Sequence, residues 1–312
     1  MKPRMTFTVL GTSEFALCCA KAMLASGAGI CEMVSMPRAA RPENSADIAA
    51  FAGRHGIAYR EVSDINSSAS VRRLKAARPD HLFVSWPKLL HRAALAAPRY
   101  FSIGTHPTDL PHNRGRHPLH WLIALGISET KLSFFRMNAR ADDGPILLKT
   151  PFKVGKSAPI AEVIGRMNAA AARGTRALCA MLKKNPSARG KKQTGRANAW
   201  RKRTPHDVTI DFRMSADAIV RLVRSFGLPY PCANLVFRDL VIKVTDAAAV
   251  PSGKNGKEMR NMEHGRIMSV RGNRIRVKAD DGVVELRCRG PVPAKLRRAE
   301  FIHPPAKYAP FS

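Results

Sequence analysis

The chain has 312 residues, 45% of them hydrophobic, with 53 Lys and Arg against 23 Asp and Glu and a formal net charge of +30. That length suits two domains rather than one, and that apolar content excludes wholesale disorder. No apolar run reaches the ~18 residues a membrane span requires.

The short apolar run at 7–10 is too brief for the core of a secretory signal, so a cytosolic protein is expected. The charge attracts polyanions: nucleic acid, nucleotide-linked substrates or a polyglutamylated cofactor. A surface that is simply basic throughout accounts for it as well, so charge alone does not identify the partner. The six cysteines (Cys18, Cys19, Cys31, Cys179, Cys232, Cys288) form no CxxC pair and are scattered. Buried reduced thiols are expected, not a disulfide framework or a zinc site.

In chain order, residues 7–10 read as a strand. A Gly11-Thr12-Ser13 turn follows, then a helix over 14–24 with Ser13 as its N-cap. A second strand is expected over 30–36 and a loop rich in Pro and Arg over 37–44. Ser45 or Asp47 opens a helix ending near Gly56. Residues 71–77 read as helical, and 81–85 as an apolar strand after Pro79-Asp80. This alternation predicts βαβ units, so the region from Met5 to about Thr150 is expected to be an open, doubly wound, mostly parallel α/β domain. On such sheets ligands bind at the carboxyl ends of the strands, near the topological switch point.

A long helix over 160–184 follows. From Lys183 to Arg203 there are nine basic residues and no acidic one, which reads as a linker or as a strap contacting substrate phosphates. An amphipathic helix is expected over 215–226, then short strands at 233–237, 241–244, 265–270, 274–277 and 283–287, a smaller β-barrel-like domain. The expected division is a catalytic domain over 5–184, a basic linker over 185–204 and a β-rich domain over 205–312.

The stretch from Ile103 to Ile146 carries the chemistry. It reads Gly104-Thr105-His106-Pro107-Thr108-Asp109-Leu110-Pro111 after a strand end at 100–103, then Arg114-Gly115-Arg116-His117-Pro118. A further strand over 132–137 leads to Arg140-Ala141-Asp142-Asp143-Gly144. A His at a strand's carboxyl end lies where α/β sheets display catalytic groups. An acidic turn about 35 residues on lets a carboxylate converge with the imidazole. A carboxylate beside an imidazole fixes its tautomer, and the pair can pass a proton from an attacking amine to a leaving nitrogen. On the residues alone, His106 fits a structural role capping a strand end as well. Four histidines (His106, His112, His117, His120) fall in this stretch, but their spacing matches no tight ligand pattern and no metal site is expected.

These motifs resemble the folate-dependent formyltransferase family, whose signature runs N-x-H-x-S-L-L-P, then R-G, then an Asp-x-Gly turn. Gly11-Thr12-Ser13-Glu14-Phe15 is similar to that family's first strand and turn. Trp200-Arg201-Lys202-Arg203-Thr204-Pro205-His206-Asp207, with Ile210-Asp211, Arg221-Leu222-Val223-Arg224 and Pro229-Tyr230-Pro231, is similar to the entry to its C-terminal domain.

The resemblance implies formyl transfer from 10-formyltetrahydrofolate as co-substrate to a primary amine, with His106 and Asp142 catalytic. It implies that Trp86, Pro87, Lys88 and Leu89, with Ala141 and Asp143, lie near the pterin. One departure stands out: the family's Asn, credited with helping to stabilise the oxyanion, is Gly104 here, which leaves Thr105, Thr108 or backbone N–H groups to substitute.

The resemblance leaves the acceptor open. Arg114-Gly115-Arg116-His117-Pro118 and the Arg201–Asp207 run are closer to the branch acting on nucleotide-linked amino sugars. That implies substrate contacts by Thr108, Arg114, Arg116, Arg201 and Arg203. The net charge of +30 suits an aminoacyl-tRNA and a methionyl-tRNA formyltransferase-like enzyme. A non-catalytic basic RNA-binding protein on the same scaffold is the third alternative. The sequence does not set the oligomeric state.

Overall fold

The computed structural model describes residues 5–42, 45–251 and 258–305. The end of the expected 37–44 loop, Glu43 and Asn44, and the last residues of the expected third segment, 306–312, lie outside the described residues. The chain divides into two compact units. The first gathers Met1–Pro118, Glu129–Lys153 and Gly165–Trp200; the second gathers Leu119–Ser128, Val154–Ile164 and Arg201–Ser312.

The strands of the first unit are β1 (Thr6–Gly11), β2 (Gly29–Ser35), β3 (Ala58–Glu61), β4 (His81–Ser85), β5 (Phe101–His106), β6 (Arg114–Gly115), β7 (Glu129–Arg136), β8 (Ile146–Lys153) and β9 (Ala199–Trp200). The chain's helices begin with α1 (Glu14–Ala25), α2 (Ile48–Arg54), α3 (Ser68–Ala76), α4 (Arg92–Leu95), α5 (Pro118–Ala124) and α6 (Ile160–Lys184). Seven strands form one sheet in the order β3-β2-β1-β4-β5-β7-β8. β1 to β5 pair in parallel, and β7 and β8 extend the sheet antiparallel. This is the open, mostly parallel sheet expected. The order reverses between β1 and β4, so the switch point lies there, and β5 stands one strand further along.

Parallel strands covered on both faces need apolar residues at consecutive positions. β1 supplies them with Phe7, Val9 and Leu10, and β4 with Leu82, Phe83 and Val84, all buried. Leu10, Val34, Leu82 and Val84 pack with Val71 and Leu74 of α3 in one core cluster. The expected Ser13 cap is at the N-cap position of α1 but its hydroxyl makes no capping bond, whereas Asp47 caps α2 by accepting from the Ala50 N–H at 2.9 Å.

The second unit carries β10 (Ala233–Phe237), β11 (Leu240–Val250), β12 (Ile267–Arg271), β13 (Arg274–Lys278) and β14 (Val283–Cys288), with α7 (Ala216–Arg224) and α8 (Ala294–Arg297). Its sheet is antiparallel, in the order β10-β11-β14-β13-β12. Among the described residues no pairing of the edge strands β10 and β12 closes it into a barrel. α7 turns Ile219, Val220, Leu222 and Val223 into a core shared with Leu235, Val244, Ile275 and Leu286. Among the described residues no helix is long and apolar enough to cross a membrane.

The stretch expected as a linker, 185–204, is instead divided. Its first part, to Trp200, belongs to the first unit and is bonded along its length to the loops that carry the chemistry. Its exposed lysines and arginines gave it the composition of a linker, but its backbone and amide groups find fixed partners.

Candidate active site

His106 is the last residue of β5. Side chains alternate along a strand, so His106 and Gly104 face one side and Thr105 the other. Ser133 of β7 is opposite His106 in the register, and Phe135 is opposite Gly104. His106 is buried (4% exposed). Its Nδ1 lies 3.5 Å from Asp142 Oδ1, and its Nε2 is 2.8 Å from the Asn113 carbonyl oxygen. Both ring nitrogens therefore face acceptor oxygens.

Asp142 reaches the imidazole from the loop between β7 and β8. It has a left-handed backbone, φ 53°, a conformation Asp tolerates better than most residues. Its second oxygen, Oδ2, accepts the Gly115 N–H at 3.0 Å. Gly115 itself has φ 102°, and a Cβ there would lie 2.3 Å from the Trp200 carbonyl oxygen. A Cβ on Gly144 would lie 1.6 Å from the Arg136 carbonyl oxygen. Gly115 thus lies too close to Trp200, and Gly144 too close to Arg136, for any side chain.

Of the two adjacent acids, Asp142 faces His106, and Asp143 pairs with Arg114 at 2.8 Å. Arg114 is thereby engaged within the protein and donates also to Gln193 Oε1 at 2.7 Å. Arg116 is exposed, with Nη1 3.5 Å from the Pro87 carbonyl oxygen. Trp86 packs at the edge of the core cluster, while Pro87, Lys88 and Leu89 are exposed, Leu89 at 65%. Ala141 is exposed beside Asp142.

Three residues expected to contact substrate are engaged by partners within the protein. Thr108 is fully buried, and its hydroxyl donates to the carbonyls of His112 and Asn113 at 2.8 and 3.2 Å. That leaves it bracing the loop, with neither a substrate contact nor a hydrogen bond to give an oxyanion. Arg203, in the second unit, is buried: it donates to Ser225 Oγ at 2.8 Å and its guanidinium lies over Trp121, 5.1 Å from the ring centre. Burial lowers its pKa to about 10. It is therefore not presented to a substrate phosphate. Arg201, also in the second unit, forks onto both oxygens of Asp207.

Gly104 has a specific neighbour. A Cβ built there would lie 2.7 Å from Phe135 Cζ and 3.0 Å from Met137 Cγ. The slot an amide side chain would use is filled by the Phe135 ring, itself 3% exposed.

Sequence reading did not single out Gln193, Asn198 or Asn113. Gln193 Nε2 donates to the carbonyls of Asp142 and Gly144 at 2.9 and 2.8 Å. The Asn113 backbone N–H donates to Asn198 Oδ1 at 2.8 Å, and Asn198 Nδ2 donates to Asn113 Oδ1 at 2.9 Å. No local signal marks them, because their partners lie about 50 and 85 residues away.

The first unit is thus an open, mostly parallel α/β fold with a buried His–Asp pair at the carboxyl end of β5. Residues 24–175 match the family described as formyl transferase, and residues 202–289 match the formyl transferase C-terminal domain. The chain belongs to the formyltransferase family, whose members move one-carbon formyl groups and use formyl-tetrahydrofolate.

It is 28% identical over 256 residues to a methionyl-tRNA formyltransferase of Aromatoleum aromaticum, covering 77% of each chain. Its fold is similar to that of an N-formyltransferase from Helicobacter canadensis solved with folinic acid and dTDP-3-aminofucose, with a TM-score of 0.66, 10% identity, and coverage of 91% of this chain and 99% of that one. It is also similar to HypX from Aquifex aeolicus in complex with tetrahydrofolic acid, with a TM-score of 0.64, 12% identity and 91% of this chain covered. The chain spans only 44% of the length of HypX.

Proposed function

We propose that this protein transfers a formyl group from 10-formyltetrahydrofolate to the primary amine of a nucleotide-linked amino sugar. The observation that carries the reading is the buried His106–Asp142 pair at the carboxyl end of β5, 3.5 Å apart. In the transfer the acceptor nitrogen bonds to the formyl carbon and the bond from that carbon to the donor nitrogen breaks. In this reading His106 takes the proton shed by the amine and returns it to the departing nitrogen, while Asp142 orients the ring and balances its charge.

Residues at the neighbouring strand end suit the formyl donor. Leu89 offers an apolar surface to a flat ring, being 65% exposed, and Lys88 beside it offers a cation to an acidic tail. Arg116, exposed after β6, is the arginine of the Arg-Gly-Arg run left available to a diphosphate. The Phe135 ring against Gly104 leaves no room for an oxyanion donor on a side chain at position 104.

The net charge of +30 favours a second reading, with methionyl-tRNA as acceptor. Incubation with 10-formyltetrahydrofolate and a panel of nucleotide-linked amino sugars, with methionyl-tRNA in parallel, separates them by the mass of the product. A formyl group gained on a sugar nucleotide, and lost in His106→Ala and Asp142→Ala, supports the proposal. Formylation of methionyl-tRNA alone replaces it with the second reading. Absence of folate binding, with salt-sensitive binding to RNA of any sequence, removes the enzymatic reading altogether.

A further inference from the structure

The strap formed by residues 185–200 is attached along its length, starting where Arg136 donates to the Ala188 carbonyl at 3.3 Å. The backbones of Lys191 and Ile146 exchange two hydrogen bonds, each 2.7 Å. Gln193 bonds the carbonyls of Asp142 and Gly144 and accepts from Arg114. Beyond it, Asn198 clasps Asn113, the Asn198 carbonyl accepts the Arg114 N–H at 3.0 Å, and β9 pairs with β6. The strap is otherwise exposed from Lys191 to Ala199, Gln193 being half-buried, so polar contacts and not apolar burial hold it.

Those contacts fall on two special positions. Asn113 and Asp142 are non-glycine residues with left-handed backbones, φ 63° and 53°. Such conformations persist where the surroundings over-determine them. Asn113 presents its carbonyl to His106 Nε2, and Asp142 presents its carboxylate to Nδ1. The strap thus grips both loops that define the orientation of the imidazole, and the Gln193 amide uses both its N–H donors and one acceptor site to do so.

We infer that Gln193 and Asn198 are positioning residues of the active centre, holding the Asp142 and Asn113 backbones so that His106 is fixed between them. The inference rests on the reading of His106 and Asp142 given above, and its test has a readout independent of turnover. The ring signals of His106, assigned by their loss in His106→Ala, are followed by NMR in Gln193→Met, which keeps the side-chain length but removes the hydrogen bonds. Asn198→Ala supplies a second, independent variant, and Thr194→Ala, at an exposed strap position, is the control.

Displaced or broadened His106 signals in Gln193→Met and Asn198→Ala, and unchanged signals in Thr194→Ala, are expected. They should accompany a roughly 10- to 100-fold fall in kcat, with KM for the formyl donor within about threefold of wild type, as a misplaced reacting group would give. Unmoved His106 signals in a folded Gln193→Met or Asn198→Ala protein, with kcat within about twofold, would overturn the inference and leave the strap as a cover. If the wild type transfers no formyl group, the proposed function fails, while the ring signals still decide the role of the strap.

Discussion

His81 and His106 lie on adjacent strands and differ in what surrounds their rings. His81 is wholly buried, stacked on Tyr100 and edge-on to Phe101, and burial lowers its pKa to about 4. An unfolded chain binds that proton near the usual value of about 6.5. Between these values the unfolded state carries more protons, so stability falls as pH drops from about 6.5 towards 4. His81→Phe, which suits the aromatic surroundings, is expected to flatten that loss by on the order of 2–3 kcal/mol, read from melting temperature against pH.

His106 instead faces a carboxylate and a carbonyl. His106→Ala and Asp142→Ala are expected to act chiefly on the chemistry, lowering kcat by about 10²- to 10⁴-fold in steady-state assays. At Gly104 the opposite pattern is expected. Gly104→Asn drives a side chain into the Phe135 ring and costs roughly 1–3 kcal/mol in denaturant unfolding, and adding Phe135→Ala relieves the clash.

At the scale of elements, much of the architecture was legible in the sequence. β4 and β10 are the apolar runs expected at 81–85 and 233–237, and α6 spans the expected 160–184. α7 starts behind the expected cap, Ser215, whose hydroxyl accepts the Ala218 N–H at 3.2 Å. Ser215→Ala is therefore expected to cost about 1 kcal/mol, measurable by thermal unfolding.

Elements defined by their neighbours were not legible. β3, Ala-Tyr-Arg-Glu, is short and polar, and it is a strand because β2 pairs with it. β11 runs on through Asp-Ala-Ala-Ala because β14 pairs with those residues beyond a bulge at Thr245. The same holds at the site: the His and the acidic turn were visible as local motifs. The amide contacts of Gln193 and the burial of Thr108 and Arg203 depend on partners far along the chain, which composition and spacing do not encode.

For the whole molecule, the net charge of +30 is a property of association more than of fold. It makes the acceptor's dependence on salt diagnostic. A sugar nucleotide offers only a few phosphates, so its KM is expected to rise within about tenfold between 50 and 200 mM salt, whereas a polynucleotide contacted at many phosphates would lose about a thousandfold or more. Initial rates across a salt series make that distinction. The strap adds a consequence in time. The seven-stranded sheet has its last strand once Lys153 is made, but the contacts of Gln193 and Asn198 must wait for residues further along. During synthesis, therefore, every strand of that sheet is made before the contacts of Gln193 and Asn198 with the loops around His106 can form.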